Sequence, residues 1–149
     1  IINAMLDNPL PIYGDGTAKR DWLYVDDLLP IIWKIMEMEG VDGEVLNIAT
    51  GKGVTINEIA DYILNTLNKP KTLKRHVNER EGHIKQLIGS YKKVEQLLGW
   101  SPTVEFNQGL RKTITWYKEN REWWTKILRR DSYRKFVKSW YKGRLQLRL

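Results

Sequence analysis

Two loops hold the first candidates for chemistry. Gly14-Asp15-Gly16 and Gly51-Lys52-Gly53 both open with the GxG spacing that lets a backbone turn tightly beneath a pyrophosphate. A dinucleotide loop also needs glycine or alanine at its sixth position, where a strand packs closely on a helix, and here that position is Lys19 or Ile56. Neither loop is a cofactor loop. Hydride transfer from an alcohol calls for a Tyr-x-x-x-Lys pair, and none of Tyr13, Tyr24, Tyr62, Tyr91, Tyr117, Tyr133 or Tyr141 has a lysine four residues later. The absence of cysteine excludes disulfides, thiol nucleophiles and cysteine-based zinc sites, and two histidines, His76 and His83, are too few for a histidine-rich metal site. This segment alone cannot run redox chemistry. Arg20 remains: a planar guanidinium bridges phosphate oxygens, although an arginine in that place serves equally in a surface ion pair.

The elements that must position these residues alternate. Leu10 to Tyr13 reads as a strand or loop before a tight Asp15-Gly16 turn, and Asp21-Trp22-Leu23-Tyr24-Val25 as a short buried strand. Asp26 then caps a helix with Leu28, Ile31, Ile32, Ile35 and Met36 at helical spacing, Pro30 in its first turn and Gly40 at its end. Asp26 and Asp27 are cap and first-turn acids rather than metal ligands. Glu44 to Ala49 is a further strand, with Asn47 toward its end. Thr55 and Glu58 form a capping box for a helix striped by Ile56, Ile59, Ala60, Ile63, Leu64 and Leu67 and stopped by Pro70. A strand from Thr72 to Val77, a short helix capped by Ser90 and closed by Gly99, and a long helix from about Asn107 to Trp124 complete the pattern. The expectation is an α/β fold with few short strands covered by helices, extending a larger sheet. Trp123-Trp124 would pack the last helix onto the body.

With 149 residues the chain is one domain in size, and no run approaches the roughly 20 apolar residues of a membrane-spanning helix. It lacks a leader pattern and an initial methionine, so it reads as the middle of something. The net charge of +7 is uneven: residues 1–125 hold 16 basic against 17 acidic side chains, and residues 126–149 hold 9 against 1. A near-neutral body fits a metabolic enzyme domain in a reducing cytoplasm rather than a nucleic-acid binder. The tail is a basic amphipathic helix, with Tyr133, Phe136, Val137, Trp140 and Tyr141 on one stripe. Such a helix docks on a missing half or another subunit, or lies on an anionic membrane as a peripheral contact.

Over residues 1 to about 124 the chain resembles nucleotide-sugar enzymes of the extended short-chain dehydrogenase/reductase superfamily, and among them the dTDP-glucose 4,6-dehydratases. The resemblance is carried by Leu10-Pro11-Ile12-Tyr13-Gly14-Asp15-Gly16, Arg20-Asp21-Trp22-Leu23-Tyr24-Val25-Asp26-Asp27, Gly43-Glu44-Val45-Leu46-Asn47-Ile48, Arg80-Glu81-Gly82-His83, Leu98-Gly99-Trp100-Ser101-Pro102, Gly109 to Thr113, Trp116-Tyr117 and Glu122-Trp123-Trp124. It divides the chain into a nucleotide-sugar-binding part, 1–124, and a basic tail, 125–149.

The resemblance implies that this half holds the nucleotide diphosphate of the sugar substrate, while NAD and the catalytic residues belong to an N-terminal Rossmann half absent here. Arg20 would lie on the diphosphate, Asn47 would donate an amide hydrogen bond to the same region, and Arg80 would add a second cation. Leu10, Pro11, Ile12, Tyr13, Gly14 and Asp15 would run along the base, with Tyr13 near it, and Glu79, Arg80, Glu81, Gly82 and His83 would complete the substrate-binding set. The intact enzyme, a homodimer, would convert dTDP-glucose to the 4-keto-6-deoxy sugar and water, and this chain alone would be inactive. The chain departs from the family pattern at Glu81, in place of proline, and at Ile84-Lys85-Gln86-Leu87, in place of an Asp-Arg-Arg-Tyr run; Leu28, in place of the dehydratases' histidine, points to the alternatives of a UDP-sugar 4-epimerase or UDP-glucuronate decarboxylase. A reading of another class is a non-catalytic binding module tethered by its basic tail.

Overall fold

The computed structural model describes residues 1–79 and 81–141. After a single helical turn, α1 (Ile2–Met5), the chain forms β1 (Leu10–Tyr13), β2 (Lys19–Asp21) and α2 (Val25–Glu37). There follow β3 (Gly53–Thr55), α3 (Ile56–Thr66), a 3-10 turn (Lys71–Leu73), β4 (Lys74–Val77), β5 (Gln86–Leu87) and α4 (Lys92–Leu98). The last three helices are α5 (Phe106–Glu119), α6 (Arg121–Leu128) and α7 (Asp131–Trp140). Two small sheets result. β1 pairs parallel with β4, Leu10 opposite Lys74, and β2 lies between antiparallel β3 and parallel β5, with Arg20 opposite both Val54 and Leu87.

Two cores hold the layers together. Leu10 and Ile12 on the inner face of β1 meet Ala60, Ile63 and Leu64 of α3 and Ile114 of α5, all buried. Ile31 of α2 meets Val94 and Leu98 of α4, with Leu46 and Ile48 packed against them. The capping box forms as read: the Thr55 hydroxyl accepts from the Glu58 amide at 3.1 Å, and the Glu58 carboxylate accepts from the Thr55 amide at 2.7 Å. Gly99 ends α4 in the left-handed conformation.

Several boundaries differ from the sequence reading. The strand expected at Asp21–Val25 lies at Lys19–Asp21, and Val25 already begins α2, because pairing with two neighbours decides a three-residue strand more than its aromatic content does. Tyr24, not Asp26, precedes α2, with no side-chain cap bond; Pro30 is its sixth residue rather than in the first turn, and the helix stops at Glu37. Glu44–Ala49 joins no strand ladder among the described residues, although Leu46 and Ile48 face the second core. The 3-10 turn takes the start of the strand expected from Thr72. Tyr91 rather than Ser90 precedes α4. The expected 107–124 helix is two helices, broken at Asn120, whose side-chain amide donates to the Trp116 carbonyl at 2.9 Å.

Trp124 is buried and donates through its indole to the Tyr117 carbonyl at 2.9 Å, while Trp123 stays 54% exposed against Trp116. The tail helix α7 packs on this chain through buried Val137 and contacts α6, and Phe136 and Trp140 stack on each other while about half exposed. Among the described residues no helix is long and apolar enough to cross a membrane, and no group of three His, Asp or Glu side chains could hold a metal ion.

Candidate functional site

The central strand of the three-stranded sheet presents Arg20 and Asp21 to a cleft of about 420 Å³, whose other walls are Asn47-Ile48-Ala49 and Leu87-Ile88-Gly89. Two residues singled out from the sequence, Arg20 and Asn47, thus meet across one concavity although 27 positions apart in the chain. Arg20 makes no ion pair among the described residues; one terminal nitrogen donates to the carbonyl of Lys19 at 2.7 Å, which leaves donors for a ligand. Asn47 is exposed at the cleft wall.

Asp21, which sequence reasoning did not single out, is the most heavily bonded group at this cleft. One carboxylate oxygen accepts from the Thr50 amide at 2.9 Å and hydroxyl at 2.6 Å, and the other from the amides of Gly51 at 2.9 Å and Gly89 at 3.3 Å. Its sequence signal was its place beside Arg20 in the motif Arg20-Asp21-Trp22; its partners, 29 and 68 residues away, are invisible to local patterns.

The remaining candidates gather elsewhere. Leu10 and Ile12 are core residues, so only the backbone and alternate side chains of β1 are available to a ligand. Pro11 and Tyr13 take those alternate positions, and the Tyr13 hydroxyl accepts from the Trp140 indole at 3.3 Å. Gly14 has φ +60°, and a β-carbon there would collide with the Glu79 carboxylate. Its carbonyl accepts from the His76 ring at 2.7 Å. Asp15 folds back on Thr17, accepting from its hydroxyl at 2.7 Å and amide at 2.9 Å, and the Thr17 hydroxyl above all holds the Asp15 carboxyl below its ordinary value. His83 donates through Nδ1 to the Glu79 carboxylate four residues earlier. Glu81 and Gly82 sit in an exposed turn, and Arg80 lies outside the described residues.

The glycine loops do not fit a dinucleotide. The turn after Gly14 runs into β2, not a helix, and is held by Asn57, whose side chain donates to the Asp15 carbonyl at 2.8 Å. Gly53 begins β3, and the first three amides of the helix after it are taken: those of Ile56 and Asn57 donate to the Ala18 and Gly16 carbonyls and that of Glu58 to the Thr55 hydroxyl, so they do not stand open to a phosphate.

This α/β unit, whose central strand presents an arginine to a cleft, belongs to a known family. The sequence pattern of the GDP-mannose 4,6 dehydratase family matches residues 1–113, and the chain belongs to that family. More particularly, it is 37% identical over 145 residues to the dTDP-glucose 4,6-dehydratase of Neisseria meningitidis, a match covering 90% of this chain and 40% of that protein. The crystal structure of the Bacillus anthracis dTDP-glucose 4,6-dehydratase in complex with NAD superposes with a TM-score of 0.77 at 35% identity, covering 85% of this chain and 40% of that one. A Thermotoga maritima UDP-glucose 4-epimerase solved with UDP-glucose gives 0.72 at 31% identity, covering 78% and 37%. The chain spans about two-fifths of the length of the relatives it matches.

Proposed function

We propose that this chain is the nucleotide-sugar-binding part of a dTDP-glucose 4,6-dehydratase-like enzyme. The observation that carries the reading is the cleft in which Arg20, without an ion-pair partner among the described residues, faces Asn47. A guanidinium with open donors and a side-chain amide suit a diphosphate, which presents acceptor oxygens only. In this reading the Leu10 to Asp15 segment runs along the base with Tyr13 near it, and Glu79 to His83, Arg80 included, borders the substrate. The named relatives support the dehydratase class.

NAD, carried by a dehydratase relative, is assigned to a preceding Rossmann half, since neither glycine loop here accepts a dinucleotide. No redox step is assigned to this chain. The whole enzyme is a cytoplasmic homodimer in this account, and residues 125–149 are an appended basic tail. The test is to express this chain alone and joined to its preceding reading frame of about 150 to 200 residues, the size of one dinucleotide-binding domain. The joined protein turns over dTDP-glucose in the presence of NAD and the chain alone does not; turnover by the chain alone, or a preceding frame without GxxGxxG and Tyr-x-x-x-Lys, contradicts the reading.

Leu28 after Asp27, together with the likeness to the epimerase, supports the second reading of a UDP-sugar 4-epimerase. Product analysis separates the two: a 4-keto-6-deoxy sugar for the dehydratase, a C4-inverted sugar for the epimerase.

A further inference from the structure

The geometry points to Asp21 as the residue that positions the diphosphate cleft, an inference that rests on the proposed reading of Arg20 and extends it to how the cleft is held. A carboxylate beside a diphosphate is by itself unfavourable. Here its two oxygens are taken up by four donors: the amide and hydroxyl of Thr50, the amide of Gly51 and the amide of Gly89. Those donors sit at the ends of the two wall segments. Thr50 directly follows Asn47-Ile48-Ala49, and Gly89 closes Leu87-Ile88-Gly89. Asp21 therefore fixes both walls to the strand that carries Arg20, and with them the separation between Arg20 and Asn47.

Gly89 supports the same arrangement independently. A β-carbon at Gly89 would lie 2.5 Å from the Ala49 β-carbon, so the walls lie too close for a side chain at residue 89, next to the point where Asp21 joins them. Asparagine is nearly the same size as aspartate but turns an NH2 group toward N–H donors on one side in either orientation, so it cannot reproduce the four bonds. Asp21→Asn thus removes the staple with little change of volume.

The test is a double-mutant cycle in the intact enzyme, this chain joined to its preceding half, read as the dissociation constant for dTDP and separately for NAD. Arg20→Ala weakens dTDP at least tenfold, Asp21→Asn weakens it about fivefold, and the double variant is no more than about twofold weaker than Arg20→Ala alone, because both act on one contact. NAD affinity stays unchanged throughout. Unchanged dTDP binding in Arg20→Ala rejects the reading of the cleft itself. Weakened binding in Arg20→Ala with wild-type binding in Asp21→Asn rejects the positioning role alone, as do multiplying effects or a parallel loss of NAD affinity. If Asp21→Asn does not fold, Thr50→Val removes one donor of the staple; about twofold weaker dTDP binding, coupled to Arg20 in the same way, supports the role, and wild-type binding overturns it.

Discussion

The indole nitrogen of Trp140 donates to the phenolic oxygen of Tyr13 at 3.3 Å, tying the last helix of the described chain to its first strand across 127 residues. The bond gives the basic tail a structural place. Val137 buries itself one turn earlier on the same helix, while the stacked Phe136 and Trp140 stay about half exposed. Tyr13 is also the residue that the proposed reading puts beside the base, so α7 borders that end of the site.

A variant ending at Trp124 therefore loses thermal stability relative to the whole chain. Val137→Ala alone costs about 1.5 kcal/mol in urea unfolding, the worth of two buried methyl groups. Sedimentation with anionic vesicles at low and high salt treats both chains alike. Salt-sensitive binding of the full chain only, with equal stabilities, would place the tail on a membrane surface instead.

Asp27 predicts a pH dependence. It is 5% exposed, and its carboxylate accepts from the Thr103 hydroxyl at 2.6 Å and from the amides of Thr103 at 3.1 Å and Val104 at 2.9 Å, which ties α2 to the segment before α5. Burial pushes its carboxyl up, but the three hydrogen bonds together outweigh burial and hold it below the usual aspartate value. A carboxyl lowered on folding stabilises fully above its unfolded value, about 4, and loses that contribution as pH falls through the folded value. Asp27→Asn should cost about 2 kcal/mol at pH 7 and flatten the acid limb of urea midpoints between pH 6 and pH 2; an unchanged acid limb would contradict the assignment.

Gly89→Ala tests the cleft wall sterically. Its new methyl meets Ala49 head-on, so one wall must shift, and overpacking of this kind costs about 1 to 3 kcal/mol. In the intact enzyme dTDP binding weakens with it. Pairing with Ala49→Gly, which clears the space, should restore affinity.

Local chemistry made part of this legible. The Thr55–Glu58 capping box and the Gly99 helix end are decided within four residues of sequence, and both form. Strand limits were less accessible. β2 is the polar run Lys19–Asp21, placed by partners at Val54 and Leu87, whereas the aromatic residues after it lead into a helix. The break falls at Asn120, whose backbone leaves the helical region (φ −102°, ψ 38°) while its backbone and side-chain amides both donate to the Trp116 carbonyl, and helical periodicity does not encode that turn. Arg20 and Asn47 emerged as candidates through family motifs; Asp21 stood in the same motif as Arg20, but its role did not emerge, because all four of its donors come from segments joined only by folding.

The central claim is that Arg20 meets the diphosphate. Loss of charge-assisted hydrogen bonds desolvated on binding costs about 1.5 to 3 kcal/mol, which is at least about tenfold in affinity. Titration of the intact enzyme with dTDP should show that weakening in Arg20→Ala, with NAD affinity unchanged. A dTDP isotherm identical to that of the unsubstituted enzyme would contradict the account.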